Sequence, residues 1–262
     1  MGKIVYTKDI NIEELQFFNS LKENQLKTFC EPAEGFFIAE SSKVIDRALS
    51  DRYEPVSLLL DETLIDSFSE IVNTVPTVYA APYDSLKQLT GFELTGGILC
   101  CMRRRPLMTA SEICRGAHRI AVLERVMNPT NVGAIIRSAA AMNIDAVLLT
   151  PDCSDPLYRR AARVSMGTVF QIPWTYIDHS LDVRQLGFKA VSMALTDKAI
   201  DISDNKLKTE DKLAIILGSE GDGLLPETIS GSDYIVKIPM REIVDSLNVA
   251  AASAVAFWEL RK

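Results

Sequence analysis

The residues best suited to chemistry fall in three short stretches of the second half of the chain. The first is Asn128-Pro129-Thr130-Asn131-Val132-Gly133-Ala134-Ile135-Ile136-Arg137-Ser138-Ala139, which follows an apolar strand pattern and opens a helix. Asn131 is a good N-cap, and Gly133 lets a partner approach the first turn. Arg137, one turn beyond Gly133, can return its guanidinium toward that end. A helix N-terminus with an arginine suits an anion such as phosphate. The plainer alternative is a capped helix with a surface ion pair. The second stretch, Leu217-Gly218-Ser219-Glu220-Gly221-Asp222-Gly223-Leu224-Leu225-Pro226-Glu227, sets three glycines after an apolar strand, a loop whose backbone can cradle a ligand. Its spacing is G-x-x-G-x-G, and Pro226 comes too soon for a crossover helix. A nicotinamide-dependent enzyme is therefore disfavoured on spacing. The third runs Ile238-Pro239-Met240, then Ser246-Leu247-Asn248, and enters an alanine-rich helix over 249–258, capped by either Ser246 or Asn248. Its small side chains suit a tight interior or a subunit contact.

The elements that must position these stretches alternate along the chain. Strands are expected over 120–126, 146–149, 169–172, 189–195, 213–217 and 234–238, with helices over 132–142, 156–164 and 181–186. Short apolar strands between helices predict a parallel sheet buried on both faces. Residues 201–211 read as a polar loop. Ahead of them, helices over 11–29 and 42–49, 64–72 and from 85 alternate with strands over 35–39, 56–60, 77–80 and 96–100, a small α/β domain with nothing catalytic in it. The expected division is a first domain over 1–102, a connector over 103–118 and a second domain over 119–262.

Composition narrows the class. A chain of 262 residues, 47% hydrophobic, can bury a sizeable core, and no apolar run reaches the length of a membrane span. Cys30, Cys100, Cys101, Cys114 and Cys153 are odd in number and form no C-x-x-C pair, which reads as a reduced, cytosolic protein. His118 and His179 have no ligand-spaced neighbours, so no metal is expected. The net charge of −7 argues against a nucleic-acid partner until its distribution is considered. Residues 1–100 carry eight Lys/Arg against sixteen Asp/Glu, whereas arginines cluster later, at 103–105 and at Arg159, Arg160 and Arg163. The last three share one helix at i, i+1 and i+4, so at least two can face an RNA backbone. A solvated face is the competing reading.

Taken together and in order, Asn131-x-Gly133 with Arg137, Leu217-Gly218-Ser219-Glu220-Gly221, and Ile238-Pro239-Met240 with Ser246-Leu247-Asn248 resemble the three signature motifs of the SpoU (TrmH-like) family. These are the RNA ribose 2′-O-methyltransferases of the SPOUT superfamily. The resemblance covers residues from about 120 to the end. It implies S-adenosylmethionine as cofactor, a C-terminal parallel-sheet domain with a trefoil knot over about 196–262, and a homodimer through that domain. It implies that Thr196, Leu217, Gly218, Gly221, Ile238, Met240 and Leu247 hold the cofactor. Arg137 would act on the 2′-hydroxyl, with Asn131, Glu220, Ser246 and Asn248 completing the catalytic group. The stretch 155–167 also looks family-like. Residues 1–100 resemble, more loosely, a small ribosomal-protein-like RNA-binding domain. That favours ribosomal RNA over tRNA, although the acidic balance departs from the pattern. The rival readings are a tRNA 2′-O-methyltransferase and a non-catalytic ribosome assembly factor that keeps the fold.

Overall fold

Alternating apolar strands and helices can bury both faces of a sheet only if the sheet is layered between helices. The computed structural model contains two such sheets, one in each of two compact units. The structure describes residues 3–8, 12–19, 21–29, 35–90, 94–241, 243 and 246–262. The first unit comprises Met1–Pro106 and Leu157–Phe170, the second Leu107–Pro156 and Gln171–Lys262. The segment Leu157–Phe170, expected in the second domain, thus packs with the first.

The first unit holds β1 (Lys3–Tyr6), β2 (Phe36–Glu40), β3 (Pro55–Asp61), β4 (Thr77–Ala81) and β5 (Ile98–Arg103), in the order β1-β4-β3-β5-β2. β1, β4 and β3 run parallel, and β5 is antiparallel to both β3 and β2. Leu15, Phe36, Leu59 and Leu99 belong to its core. β2 is buried at every residue and is covered by the helix Arg159–Val164. The sequence did not suggest β1, and the helix expected over 64–72 begins later, at Ser69–Thr74. The start of the helix expected from Asn11, and Cys30, lie outside the described residues.

The second unit holds β6 (Arg119–Leu123), β7 (Ala146–Leu149), β8 (Trp174–Tyr176), β9 (Lys189–Met193), β10 (Ile200–Asp201), β11 (Leu213–Leu217) and β12 (Tyr234–Lys237). Their order is β10-β12-β9-β11-β6-β7-β8, with every neighbouring pair parallel. β6, β7 and β11 are buried at every position, as strands covered on both faces must be. Three local expectations fail. Residues 169–172 form no strand, because a 3-10 turn at Thr168–Phe170 precedes β8. The expected loop over 201–211 carries the end of β10 and a helix, Asn205–Thr209, capped by Asp204. Pro226, read as a break, occupies the first turn of the helix Pro226–Gly231, where its missing N–H costs nothing.

The chain closes with the helix Val249–Leu260, packed on the helix Pro129–Ala141. Its far end is tied down by Arg119, which is only 2% exposed. The Arg119 guanidinium donates to the carbonyls of Leu260 (2.7 Å), Asp211 (2.8 Å), Glu210 (3.0 Å) and His118 (3.0 Å). Burying that cation is tolerable because carbonyls take up its donors.

Candidate active site

Asn128, not Asn131, caps the helix Pro129–Ala141: its side chain accepts from the Thr130 N–H at 2.9 Å, with Pro129 beginning the first turn. This displacement frees Asn131 for other work. Asn131 lies in the first turn, 7% exposed, and its Nδ2 donates to Glu220 Oε1. Its Oδ1 accepts from Asn248 Nδ2 at 3.3 Å. Asn248 in turn caps the closing helix, its Oδ1 accepting from Ala250 N (3.0 Å) and Ala251 N (3.4 Å). Of the two expected caps, therefore, Asn248 serves and Ser246 does not. One chain of side-chain hydrogen bonds links the first, second and third stretches.

Beside it opens a cavity of ≈ 470 Å³. Its walls are the end of β9 with Leu195 and Thr196, the loop Ser219–Leu224, Ile238 and Met240 beyond β12, and Ser246 and Leu247 before the closing helix. Of the candidate residues, Thr196, Glu220, Gly221, Ile238, Met240, Ser246 and Leu247 line it. Residues Glu242, Val244 and Asp245 of the intervening polar loop lie outside the described residues. Leu217 and Gly218 sit behind the wall, Leu217 as the buried last residue of β11. Gly218 admits no side chain, since a Cβ there would lie 2.4 Å from Gly223 C and 2.5 Å from Leu224 N. The loop closes on itself: Ser219 and Gly223 exchange backbone hydrogen bonds of 3.2 Å, and Gly223 takes φ +70°. The Thr196 Oγ1 is buried and has no hydrogen-bond partner among the described residues.

Arg137 is exposed on the helix Pro129–Ala141 and is not among the residues lining the cavity. Among the described residues it makes no hydrogen bond or ion pair. Arg159 and Arg163 are placed in the first unit, where both reach the carboxylate of Glu40, itself 1% exposed. Arg163 Nη1 is 3.0 Å from Oε1 and Arg159 Nε 3.7 Å from Oε2. Burial lowers the Arg159 pKa, against the opposing pull of Glu40 and Glu23. A buried carboxylate stripped of its cations is costly, so these two arginines tie their helix to β2, whereas Arg160 is exposed. The thiols of Cys100, Cys114 and Cys153 are pushed up by burial, Cys114 to about 11, which makes them poor nucleophiles.

One residue escaped the sequence reading. Glu124, just past β6 and 2% exposed, accepts from Ser180 Oγ (2.6 Å), Leu225 N (2.7 Å) and Thr228 Oγ1 (2.7 Å). An acid inside the apolar strand expected over 120–126 was its only available signal.

Known proteins resemble this one on both counts, sequence and fold. Residues 118–258 match the model of the SpoU rRNA Methylase family. A protein of Mycobacterium bovis named as an uncharacterized tRNA/rRNA methyltransferase is 35% identical, over 85% of this chain and 79% of its own. A 23S rRNA (guanosine-2′-O-)-methyltransferase of Acinetobacter baylyi is 32% identical, over 70% of this chain and 77% of its own. The crystal structure of an AdoMet-bound rRNA methyltransferase from Sinorhizobium meliloti superposes with a TM-score of 0.83, covering 99% of this chain and 98% of that one. At 21% identity, that last likeness is one of fold.

Proposed function

We propose, on the premise that this chain belongs to the SpoU rRNA methylase family, that it moves a methyl group from S-adenosylmethionine to a ribose 2′-hydroxyl of ribosomal RNA. The observation that carries the reading is the convergence of the second and third stretches on one cavity whose wall holds the unpartnered Thr196 hydroxyl. A buried hydroxyl left unpaired costs about 1–3 kcal/mol, so a polar ligand that pairs it gains accordingly. The absence of room at Gly218 adds a second sign, a backbone folded tightly enough to offer its own groups to a ligand. A volume of ≈ 470 Å³ is also of the size that holds a small cofactor.

In this reading Thr196, Gly221, Ile238, Met240 and Leu247 hold the cofactor directly, and Leu217 and Gly218 shape the backbone behind them. The path of residues 196–262 would be the trefoil knot of the family. When bound, S-adenosylmethionine supplies a methyl carbon activated by the adjoining sulfonium. The chain's contribution is position, which in oriented reactions can supply several kcal/mol of the barrier. Asn131 and Asn248 hold Glu220 still at the cavity wall, and Ser246 stands beside it for the substrate. An arginine guanidinium cannot serve as a base. Arg137 therefore stabilises the ribose oxygen as its proton passes to solvent water, and clamps the neighbouring phosphate.

In this reading Arg137 serves the cavity of a second copy of the chain, as it does not line that of its own protomer. The closing helix offers a surface for pairing: Val255 is 41% and Trp258 59% exposed, and Ala251 lies on the same stripe. The first unit would dock the RNA, with Arg160 as its exposed cation and Arg159 and Arg163 bracing the helix that carries it.

The deciding experiment is transfer of labelled methyl groups from S-adenosylmethionine to ribosomal RNA and to tRNA, followed by mapping of the ribose that resists alkaline cleavage. A protected ribose in ribosomal RNA is expected. Protection in tRNA alone would move the substrate. A protein that binds the cofactor and labels neither RNA would be an assembly factor.

A further inference from the structure

We propose that Glu124 is a positioning residue for the cofactor cavity: it touches no ligand, yet it fixes the loop that forms the wall and so sets cofactor affinity. This inference rests on the methyltransferase reading above and deepens it. The loop departs from Leu217, whose carbonyl accepts the Glu124 N–H at 2.9 Å. The backbone of Glu124 is thus locked to the root of the loop, and its side chain reaches the point where the loop returns. Leu224 is the last residue of the loop on the cavity wall. The very next amide, Leu225 N–H, donates to Glu124 Oε1 at 2.7 Å. The Thr228 and Ser180 hydroxyls donate to Oε2 at 2.7 and 2.6 Å.

Between its two ends the loop behaves as a closed ring, because Ser219 and Gly223 bond each other and Gly218 leaves no slack against Gly223 and Leu224. A ring hinged at a strand end takes its tilt from whatever holds the other limb, which here is the Glu124 carboxylate. Among the described residues Glu124 makes no ion pair, so the buried charge stands on these three donors alone. Charge-assisted bonds of this kind are the strong and directional ones. Release would have somewhere to go. A second cavity of ≈ 420 Å³ is lined by Glu124 and Leu225 with Arg125, Thr150, Ser180 and Thr228. The loop limb can relax toward that space once its anchor weakens.

The test uses the full chain, with Thr228→Val, Thr228→Ser and Glu124→Gln. Adenosylhomocysteine binding is measured by calorimetry, the melting temperature without ligand, and KM for cofactor and for RNA separately. Thr228→Val keeps the shape and removes one donor. It should weaken adenosylhomocysteine binding about tenfold, raise the cofactor KM to match and leave the RNA KM near wild type, while the ligand-free melting temperature falls by a few degrees as one buried donor is lost. Thr228→Ser should restore wild-type affinity, and Glu124→Gln should weaken binding at least as much as Thr228→Val. The proposal is overturned if Thr228→Val binds as tightly as wild type, if Thr228→Ser fails to restore affinity, or if both KM values rise together. Should Glu124→Gln fail to fold, the threonine pair decides alone. Wild-type protein that bound no adenosylhomocysteine would overturn the methyltransferase reading itself.

Discussion

Replacing Asn131 by Asp tests the bond between the first two stretches while leaving nearly everything else in place. The side chain keeps its size, and Oδ1 still accepts from Asn248 Nδ2. What disappears is the Asn131 donor to Glu220, the single one among the described residues, replaced by a carboxylate facing a carboxylate. Loss of a hydrogen bond to a charged group costs about 1.5–3 kcal/mol. Two unit charges at about 4 Å repel by up to about 4 kcal/mol at an effective dielectric of 20. Glu220 is exposed, so solvent removes most of that second figure. A net loss of about 2–3 kcal/mol remains, or roughly 30- to 150-fold in cofactor affinity if it falls on the loop. The sign of the pH dependence follows. Two facing carboxylates share a proton, which raises a folded-state pKa above its unfolded value, so the deficit is full at neutral pH and shrinks as pH falls toward about 5. Asn131→Ala, which adds no charge, should lose about 1–2 kcal/mol with no recovery in acid. Calorimetric titration of adenosylhomocysteine near pH 7.5 and pH 5.5 measures both. Equal affinity of Asn131→Asp and wild type at neutral pH, or a deficit that ignores pH, would refute the linkage of the loops through Asn131.

Four further outcomes are expected. Arg137→Ala should abolish methyl transfer and keep adenosylhomocysteine affinity within about twofold, read by labelled transfer beside calorimetry; equal loss of both would remove its assigned role. Gly218→Ala should weaken cofactor binding more than tenfold, because its Cβ must displace backbone atoms 2.4–2.5 Å away. Val255→Glu, on the exposed stripe of the closing helix, should shift sedimentation from dimer to monomer and lower activity with it. Burial alone would raise the carboxyl of Asp233, but the Ala190 N–H at 2.9 Å, Lys189 at 3.1 Å and Arg184 outweigh it and hold the pKa down. A depressed folded pKa adds stability above about pH 4 that is lost as pH falls through the folded value. Asp233→Asn should therefore lower the melting temperature near neutrality and flatten its acid decline.

The sequence spoke most clearly where apolar runs were short and bounded. β7 and β11 lie where the apolar segments 146–149 and 213–217 put them, because a strand buried on both faces leaves an unbroken hydrophobic run. Periodicity misleads in the segment that joins the first unit: Val169 and Phe170 are buried in a 3-10 turn, and the Phe170 ring packs against Phe37 and Tyr53 of that same unit. The cap of the Pro129–Ala141 helix was legible in the Asn128-Pro129 pair, since proline favours the first turn and asparagine the position before it. Taking Asn131 as the cap instead hides its bond to Glu220. The pairing of Arg159 and Arg163 with Glu40 spans more than a hundred residues of chain, a distance over which spacing carries no information. For the same reason nothing local announced that Glu124 would meet Leu225 and Thr228.

The excursion of Leu157–Phe170 into the first unit bears on how such a protein can be divided or inherited. The polypeptide passes between units after Pro106, before Leu157 and after Phe170, so no single cut yields both halves whole. Truncation at the first passage would strand the Arg159–Val164 helix without β2 and leave its two cations with no Glu40. Recombination that swapped the leading hundred residues for those of a relative would succeed only if this fourteen-residue detour travelled too. A substitution at Glu40 would thus be felt at Arg159 and Arg163, more than a hundred residues further along the chain.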